Sequence, residues 1–147
     1  MLTPLLDIDV ELAAPQSAGR TESGERRCVP ITGGRFSGRL QGRVLAGGAD
    51  WQVLRPDGLA DLDARYMLET DDGARIEVWS RGLRIGAPEV MARLAAGEAV
   101  DPAAYYMRTA LRFETAAPSL QWLVHRMAVS IGERRPDLVR LKVFTLD

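Results

Sequence analysis

Apolar and polar residues alternate with period two along Leu62–Thr70 and again along Ala74–Ser80, on either side of Asp71-Asp72-Gly73. Such alternation predicts a pair of strands, and a glycine at the end of a short polar linker supplies the positive φ of a tight turn, so the unit reads as a β-hairpin. Both of its faces hold large side chains. Tyr66, Leu68, Ile76 and Val78 share one parity, and Arg65, Glu69, Glu77 and Trp79 the other. A sheet with one face in water has a plainer outer face, whereas a sheet closed into a barrel can hold aromatic and polar groups inside. Successive side chains alternate, so one parity must face the lumen. Burial favours the apolar set by about 1.5–3 kcal/mol per large side chain. The expectation is therefore Tyr66, Ile76 and Val78 inside, with Arg65, Glu77 and Trp79 outside.

The same patterning predicts the remaining elements. Leu6–Leu12 alternates as a first strand, Pro15–Gly24 reads as a loop, and Arg26–Ile31 reads as a second strand. Gly33-Gly34 is expected to turn the chain into a strand over Phe36–Leu45, whose glycines suit a bent barrel wall. Gly47-Gly48 turns it into Asp50–Arg55, and Pro56-Asp57-Gly58 leads to the hairpin. One helix is predicted over Pro88–Ala96: Pro88 suits the first turn, Glu89 and Arg93 lie four apart, and Gly97 suits the stop. Asp101–Ala104 suggests a further helical turn, and Tyr105–Thr115, Leu120–Ile131 and Leu138–Leu146 complete the strands. Nine or ten strands with one short helix define a single all-β domain over residues 1–147, an antiparallel barrel.

Composition narrows the functional classes. A net charge of −1, with one lysine and arginines scattered among acids, offers no one-sign surface for nucleic acid. Cys28 is the only cysteine, which removes intrachain disulfides and thiolate metal centres and fits a reducing, cytoplasmic home. The first residues lack a basic start and a long apolar run, and no stretch approaches a membrane-spanning helix of ~20 apolar residues. The expected partners are a small molecule and further copies of the chain, as a homodimer or larger homo-oligomer, with no nucleic acid or membrane.

Several segments resemble a known family: Val29-Pro-Ile-Thr-Gly-Gly-Arg-Phe-Ser-Gly, Gly47-Gly-Ala-Asp-Trp, Leu62-Asp-Ala-Arg-Tyr, Thr70-Asp-Asp-Gly-Ala, Tyr105-Tyr-Met-Arg-Thr and Arg112-Phe-Glu-Thr. Together, in this order and over nearly the whole chain, they are similar to the domain-of-unknown-function family numbered 3237. The resemblance implies a single antiparallel barrel of lipocalin-like or allene-oxide-cyclase-like shape, often oligomeric, and names no activity. Ser80 and Val124 stand where the family often has Asn, and Leu111 where it often has Pro. Chemistry that depends on those amides does not transfer to this chain.

Candidate chemistry is then limited by what is missing. His125 is the only histidine, which excludes multi-histidine metal sites, and no metal is expected. On strand parity His125 falls beside Met127 and Val129, as a packed or half-exposed side chain. There is no Gly-x-Ser-x-Gly elbow and no Rossmann or Walker glycine spacing, so hydrolysis through a triad is disfavoured and no nucleotide cofactor is expected. Acids, arginines and aromatic hydroxyls remain. Tyr106, Arg108 and Glu114 share a parity and could converge, and Asp50 begins a strand beside Trp51. A carboxylate held near a cation can act as a base, and a tyrosine can donate a proton or hold an enolate. The expectation is a cofactor-free isomerase, cyclase or lyase acting on an apolar or aromatic molecule. Asp50, Tyr106 and Glu114 are its catalytic candidates, and Trp51, Tyr66, Arg108, Trp122 and Val124 its substrate contacts. The alternative is a carrier or sensor with the same pocket.

Overall fold

The computed structural model describes residues 1–147, as ten strands and two short α-helices. In chain order these are β1 (Leu2–Leu12), β2 (Gln16–Thr21), β3 (Gly24–Gly38), β4 (Gly42–Val44), β5 (Ala49–Leu54), β6 (Ala60–Thr70), β7 (Arg75–Gly86), α1 (Pro88–Ala95), β8 (Tyr105–Glu114), α2 (Gln121–Val124), β9 (Ala128–Arg134) and β10 (Leu138–Leu146). Antiparallel pairing runs β1-β10-β9-β8-β7-β6, then through both β4 and β5 to β3, and β3 pairs back onto β1. The ring is closed, with eight positions. β4 and β5 share one of them between β6 and β3, and β2 extends the β1 position by pairing with the first part of β3. Closure satisfies every strand edge of the ring, which an open sheet of this size would leave exposed.

The hairpin forms as its alternation predicts. Tyr66 faces Val78 and Leu68 faces Ile76 across β6 and β7, and Gly73 takes φ +92° in the turn. All four side chains are buried. Arg65, Glu77 and Trp79 lie on the outer face, where Arg65 Nε donates to Glu77 Oε2 at 2.9 Å and the guanidinium covers the Trp79 ring at 4.8 Å. The helix predicted from Pro88 is α1, and the turn expected at Asp101–Ala104 is a 3₁₀ turn whose start is capped by the Asp101 carboxylate, which accepts from the Ala103 amide.

Three elements differ from the sequence reading. Gln16–Thr21 is a strand rather than a loop; all six residues are exposed, so it has no apolar parity to betray it. Gly33-Gly34 is no turn, because β3 runs straight through it and the chain reverses only after Gly38. A Cβ on Gly34 would stand 1.9 Å from the Asp9 carbonyl oxygen, so the glycine lets β1 and β3 approach where the wall bends. The predicted strand Leu120–Ile131 is a 3₁₀ turn at Pro118–Leu120 followed by α2, and only then β9. The parity reading of His125 falls with it, since His125 ends α2 exposed to solvent.

The interior divides along the barrel axis. Toward the β6–β7 turn it is filled by a cluster that includes Leu6, Ile8, Phe36, Val44, Leu68, Ile76, Val78, Leu111 and Phe113, plugged from outside by Leu120 and Leu123 of the α2 segment. Toward the opposite end the packed apolar residues are fewer. There Met91 and Leu94 of α1 join Ala60, Leu62, Tyr105 and Met107 in a smaller cluster. Between the two lies a polar layer.

Candidate active site in the barrel lumen

The polar layer is built by strands whose inward parity happens to carry hydroxyls and charges. On β7 the inward series Ile76, Val78 continues as Ser80, Gly82 and Arg84. On β8 it is Tyr105, Met107, Thr109, Leu111 and Phe113, and on β5 it is Asp50, Gln52 and Leu54. Ser80 Oγ donates to Thr109 Oγ1 at 2.9 Å, and Thr109 in turn pairs with Ser130 of β9. This hydroxyl chain crosses three adjacent strands, and all three residues are buried.

Asp50 sits at the inner edge of the layer. Its Oδ2 accepts from Gln52 Nε2 at 2.8 Å, its Oδ1 accepts from the Asp63 amide at 2.9 Å, and Gln52 Oε1 accepts from Arg27 Nε at 2.9 Å. Loss of hydration raises the Asp50 pKa above the usual aspartate value; the two hydrogen bonds and the Arg84 charge oppose that shift without cancelling it. Tyr66 is buried, and its hydroxyl has no hydrogen-bond partner. Burial, and then the nearby Asp50 charge, push its pKa far upward, so the phenol stays protonated. Asp50, Tyr66, Ser80 and Thr109 share a cavity of about 40 Å³ whose other walls include Val10, Leu62, Met107 and Val139. That volume matches one or two water molecules.

Three arginines stand around the upper part of this layer. Arg84 is 2% exposed and makes no hydrogen bond within the protein, and its Nε is shut off from solvent. Burial pushes its pKa down to about 10, the charges of Arg134 and Arg27 push the same way, and Asp50 works against them. Arg27 and Arg134 are themselves partly buried and shifted downward, burial being the main cause for each. Arg134 NH1 reaches the Leu138 carbonyl at 3.4 Å, and the Arg134 amide donates to the Tyr105 hydroxyl at 2.8 Å. Arg84 alone of the three is both buried and unpartnered.

The other residues expected from sequence fall elsewhere. Tyr106 is 51% exposed on the outside of β8, where the Arg108 guanidinium covers its ring at 4.7 Å, and Glu114 is exposed farther along the same face. The grouping of Asp50 with Tyr106, Arg108 and Glu114 is therefore corrected: the barrel wall stands between them. Trp51, at 63% exposed, lines an open outer groove with Arg26, Asp61 and Arg81. Trp122 is half-buried on α2 against the plugged end, under Arg39 at 4.4 Å, and Val124 is on the same helix. Of the eight expected site residues, Asp50 and Tyr66 meet in the lumen. The sequence reading missed Ser80, Arg84 and Thr109 as lumen residues. Extending the Tyr66–Val78 parity through Ser80 to Arg84, four residues farther on, and applying it to β8, finds all three. No group of histidine, cysteine and carboxylate side chains is arranged to hold a metal ion.

A closed antiparallel β-barrel with a buried polar layer is thus the class of protein that fold and site define. Within it, the chain belongs to the family described as "Protein of unknown function (DUF3237)", which matches residues 1–146. A UPF0311 protein of Rhodopseudomonas palustris is 41% identical over 149 residues, spanning 97% of each chain. The crystal structure of a conserved protein of unknown function from the same species superposes with a TM-score of 0.93 at 40% identity, covering 99% of this chain and 95% of that one. A β-barrel-like protein of Acinetobacter baumannii gives 0.88 at 43% identity, covering 100% and 96%. An enzyme from Penicillium herquei shares the fold, with a TM-score of 0.72 at 20% identity over 97% and 93% of the chains. No helix of the chain is long and apolar enough to cross a membrane.

Proposed function

We propose that this chain is a cofactor-independent enzyme that takes a small, largely apolar or aromatic molecule into the barrel and moves a proton on it, by isomerisation, cyclisation or elimination. The observation that supports this most is the juxtaposition of a desolvated carboxylate, Asp50, with an unpartnered buried hydroxyl, Tyr66, at one cavity. Asp50 takes a proton from a carbon made acidic by a neighbouring carbonyl. The electron pair moves onto the carbonyl oxygen, which Tyr66 stabilises by hydrogen bonding, and return of the proton at another position completes an isomerisation. A raised carboxylate pKa makes the base stronger, and a phenol that stays protonated remains a donor throughout. Tyr66 thus takes the role that sequence parity had offered to Tyr106.

Entry to so small a lumen requires the α1 end to open. That helix is held by only two buried side chains, Met91 and Leu94, so its displacement disturbs little packing. A carrier with the same lumen is the second reading. It is favoured by the two hydrogen bonds on Asp50, which hold the carboxylate as a structural group would be held.

Untargeted mass spectrometry of a cell extract incubated with the protein separates the two readings. The expected result is a substrate consumed and a product formed, with turnover reduced roughly 10²–10⁴-fold by Asp50→Asn and by Tyr66→Phe in folded protein. Turnover that survives both substitutions overturns the assignment, and a ligand recovered unchanged supports the carrier.

A further inference from the structure

We propose that the barrel interior beside the Asp50–Tyr66 cavity, sharing its Leu62 and Met107 wall, is an anion site in which Arg84 binds the carboxylate of a small organic acid. This deepens the reading above by naming the substrate class, and it holds for enzyme and carrier alike. Arg84 is the reason. A guanidinium presents five donors in a rigid planar fork, and one buried without partners is costly unless a ligand takes up those donors. Arg84 has no intraprotein hydrogen bond, and its Nε is inaccessible to water.

Its surroundings also lack the compensating charge that a structural arginine would have. Arg27 and Arg134 face it with like charge, and Asp50 is the one carboxylate acting on it. Asp50 is already engaged by Gln52 and the Asp63 amide. Other acids act on the outer two arginines, Glu25 on Arg27 and Asp137 on Arg134, and Glu133 acts on Tyr105. The centre is left with an excess of positive charge in a poorly hydrated space, which a carboxylate would neutralise with a bidentate pair of hydrogen bonds. The apolar side chains of Leu62 and Met107, beside Arg84 in the fold, would then receive the body of the acid.

Nuclear magnetic resonance of the arginine Nε–Hε groups tests this on the intact chain, with acetate and benzoate as probes, acetamide and benzamide as their neutral counterparts, and inorganic phosphate as a competing anion. The expected result is a saturable shift of the Arg84 Nε–Hε resonance with one or both carboxylates and none with the amides. Arg84→Met should weaken binding roughly ten- to a hundredfold, and Arg84→Lys by less, both read from the Nε–Hε resonances of the neighbouring Arg27 and Arg134. Arg84→Met should fold at least as stably as the parent, because it removes an unpaired buried charge and adds no cavity. Equal binding of acid and amide, binding unaffected by Arg84→Met, response to phosphate but to neither carboxylate, or no saturable response to any probe would each overturn the proposal. The readout is independent of turnover, so a lost reaction with intact acetate or benzoate binding removes the enzyme reading alone.

Discussion

The two halves of the barrel interior are made by the same strands and the same alternation, yet they obey different rules. Near the β6–β7 turn every inward position of β7 and β8 is apolar: Ile76, Val78, Leu111 and Phe113. A few residues farther along the same two strands the inward positions include Ser80, Arg84, Tyr105 and Thr109 beside Gly82 and Met107, and all four polar side chains are buried. The first set is what a barrel needs to stay folded. The second contains a cation, Arg84, that finds no partner among its neighbours, and it adjoins the unpartnered phenol of Tyr66 and the half-buried carboxylate of Asp50. Burying such groups opposes folding, so the apolar half must supply the stability that the polar half draws upon. A division of this kind along one axis lets a small barrel keep a polar interior without loosening its core.

Substitutions in the two halves should then change stability in opposite directions, as chemical denaturation would measure. Phe113→Ala, in the apolar half, should cost about 3–5 kcal/mol, through lost burial and the cavity left behind. Arg84→Met, in the polar half, should instead stabilise by about 1–3 kcal/mol, because it removes a desolvated charge without a partner. If both variants are destabilised alike, the interior is uniform and Arg84 is a structural group.

The pH dependence sharpens the same contrast. The Asp50 pKa is raised in the folded state, so folding favours its protonated form. Its cost is fully present above the folded pKa and fades as pH falls through that value toward the ordinary 3.8. Relative to the parent, Asp50→Asn should therefore gain stability as pH rises across that window, at no more than about 1.4 kcal/mol per pH unit. A flat difference would mean that Asp50 is solvated. Tyr66→Phe should be neutral, or more stable by up to about 1 kcal/mol, since the hydroxyl it removes makes no hydrogen bond.

The smallest effect belongs to the outer wall. Arg140 there donates to Asp9 at 2.7 and 3.0 Å, and the bond holds the Asp9 carboxyl below its usual range. Both side chains are about one-third exposed, so solvent screens the pair and Asp9→Asn should cost only about 0.5 kcal/mol. That stability is present above 3.8 and lost as pH falls through the depressed pKa of the folded state.

How far the sequence can be read follows from the same division. Alternation was legible where inward residues are apolar, which is why the hairpin, its inward face and the extent of β10 emerge from pattern alone. It failed where the lumen turns polar. On β8 the tyrosine, arginine and carboxylate of one parity drew attention as chemistry, although the opposite parity, Tyr105, Met107, Thr109, Leu111 and Phe113, is the buried one. Arg84 is hidden in the sequence because beyond Ser80 the apolar parity of β7 passes to Leu83 and Ile85, while Gly82 and Arg84 continue the inward series. The exposed β2 carries no period-two signal, the apolar run Trp122-Leu123-Val124 of α2 suits a strand as well as a helix, and tertiary contacts decide the form of both.

The seam that closes the ring has a consequence for how the chain reaches this shape. It joins β1 to β10, and the Asp9–Arg140 pair that spans it links residues 131 positions apart. A nascent chain emerging from the ribosome must therefore hold β1 with one side unpaired until nearly the whole sequence has been made. Folding is governed by a distant closure of this kind, which is slow compared with local helix or hairpin formation. During that wait the edge of β1 that awaits β10, with Leu6, Ile8 and Val10 facing inward, is the part of the molecule most exposed to pairing with a neighbour. Its outward acids Asp7, Asp9 and Glu11 place a row of negative charge along that waiting strand, where it would repel an identical strand from another copy.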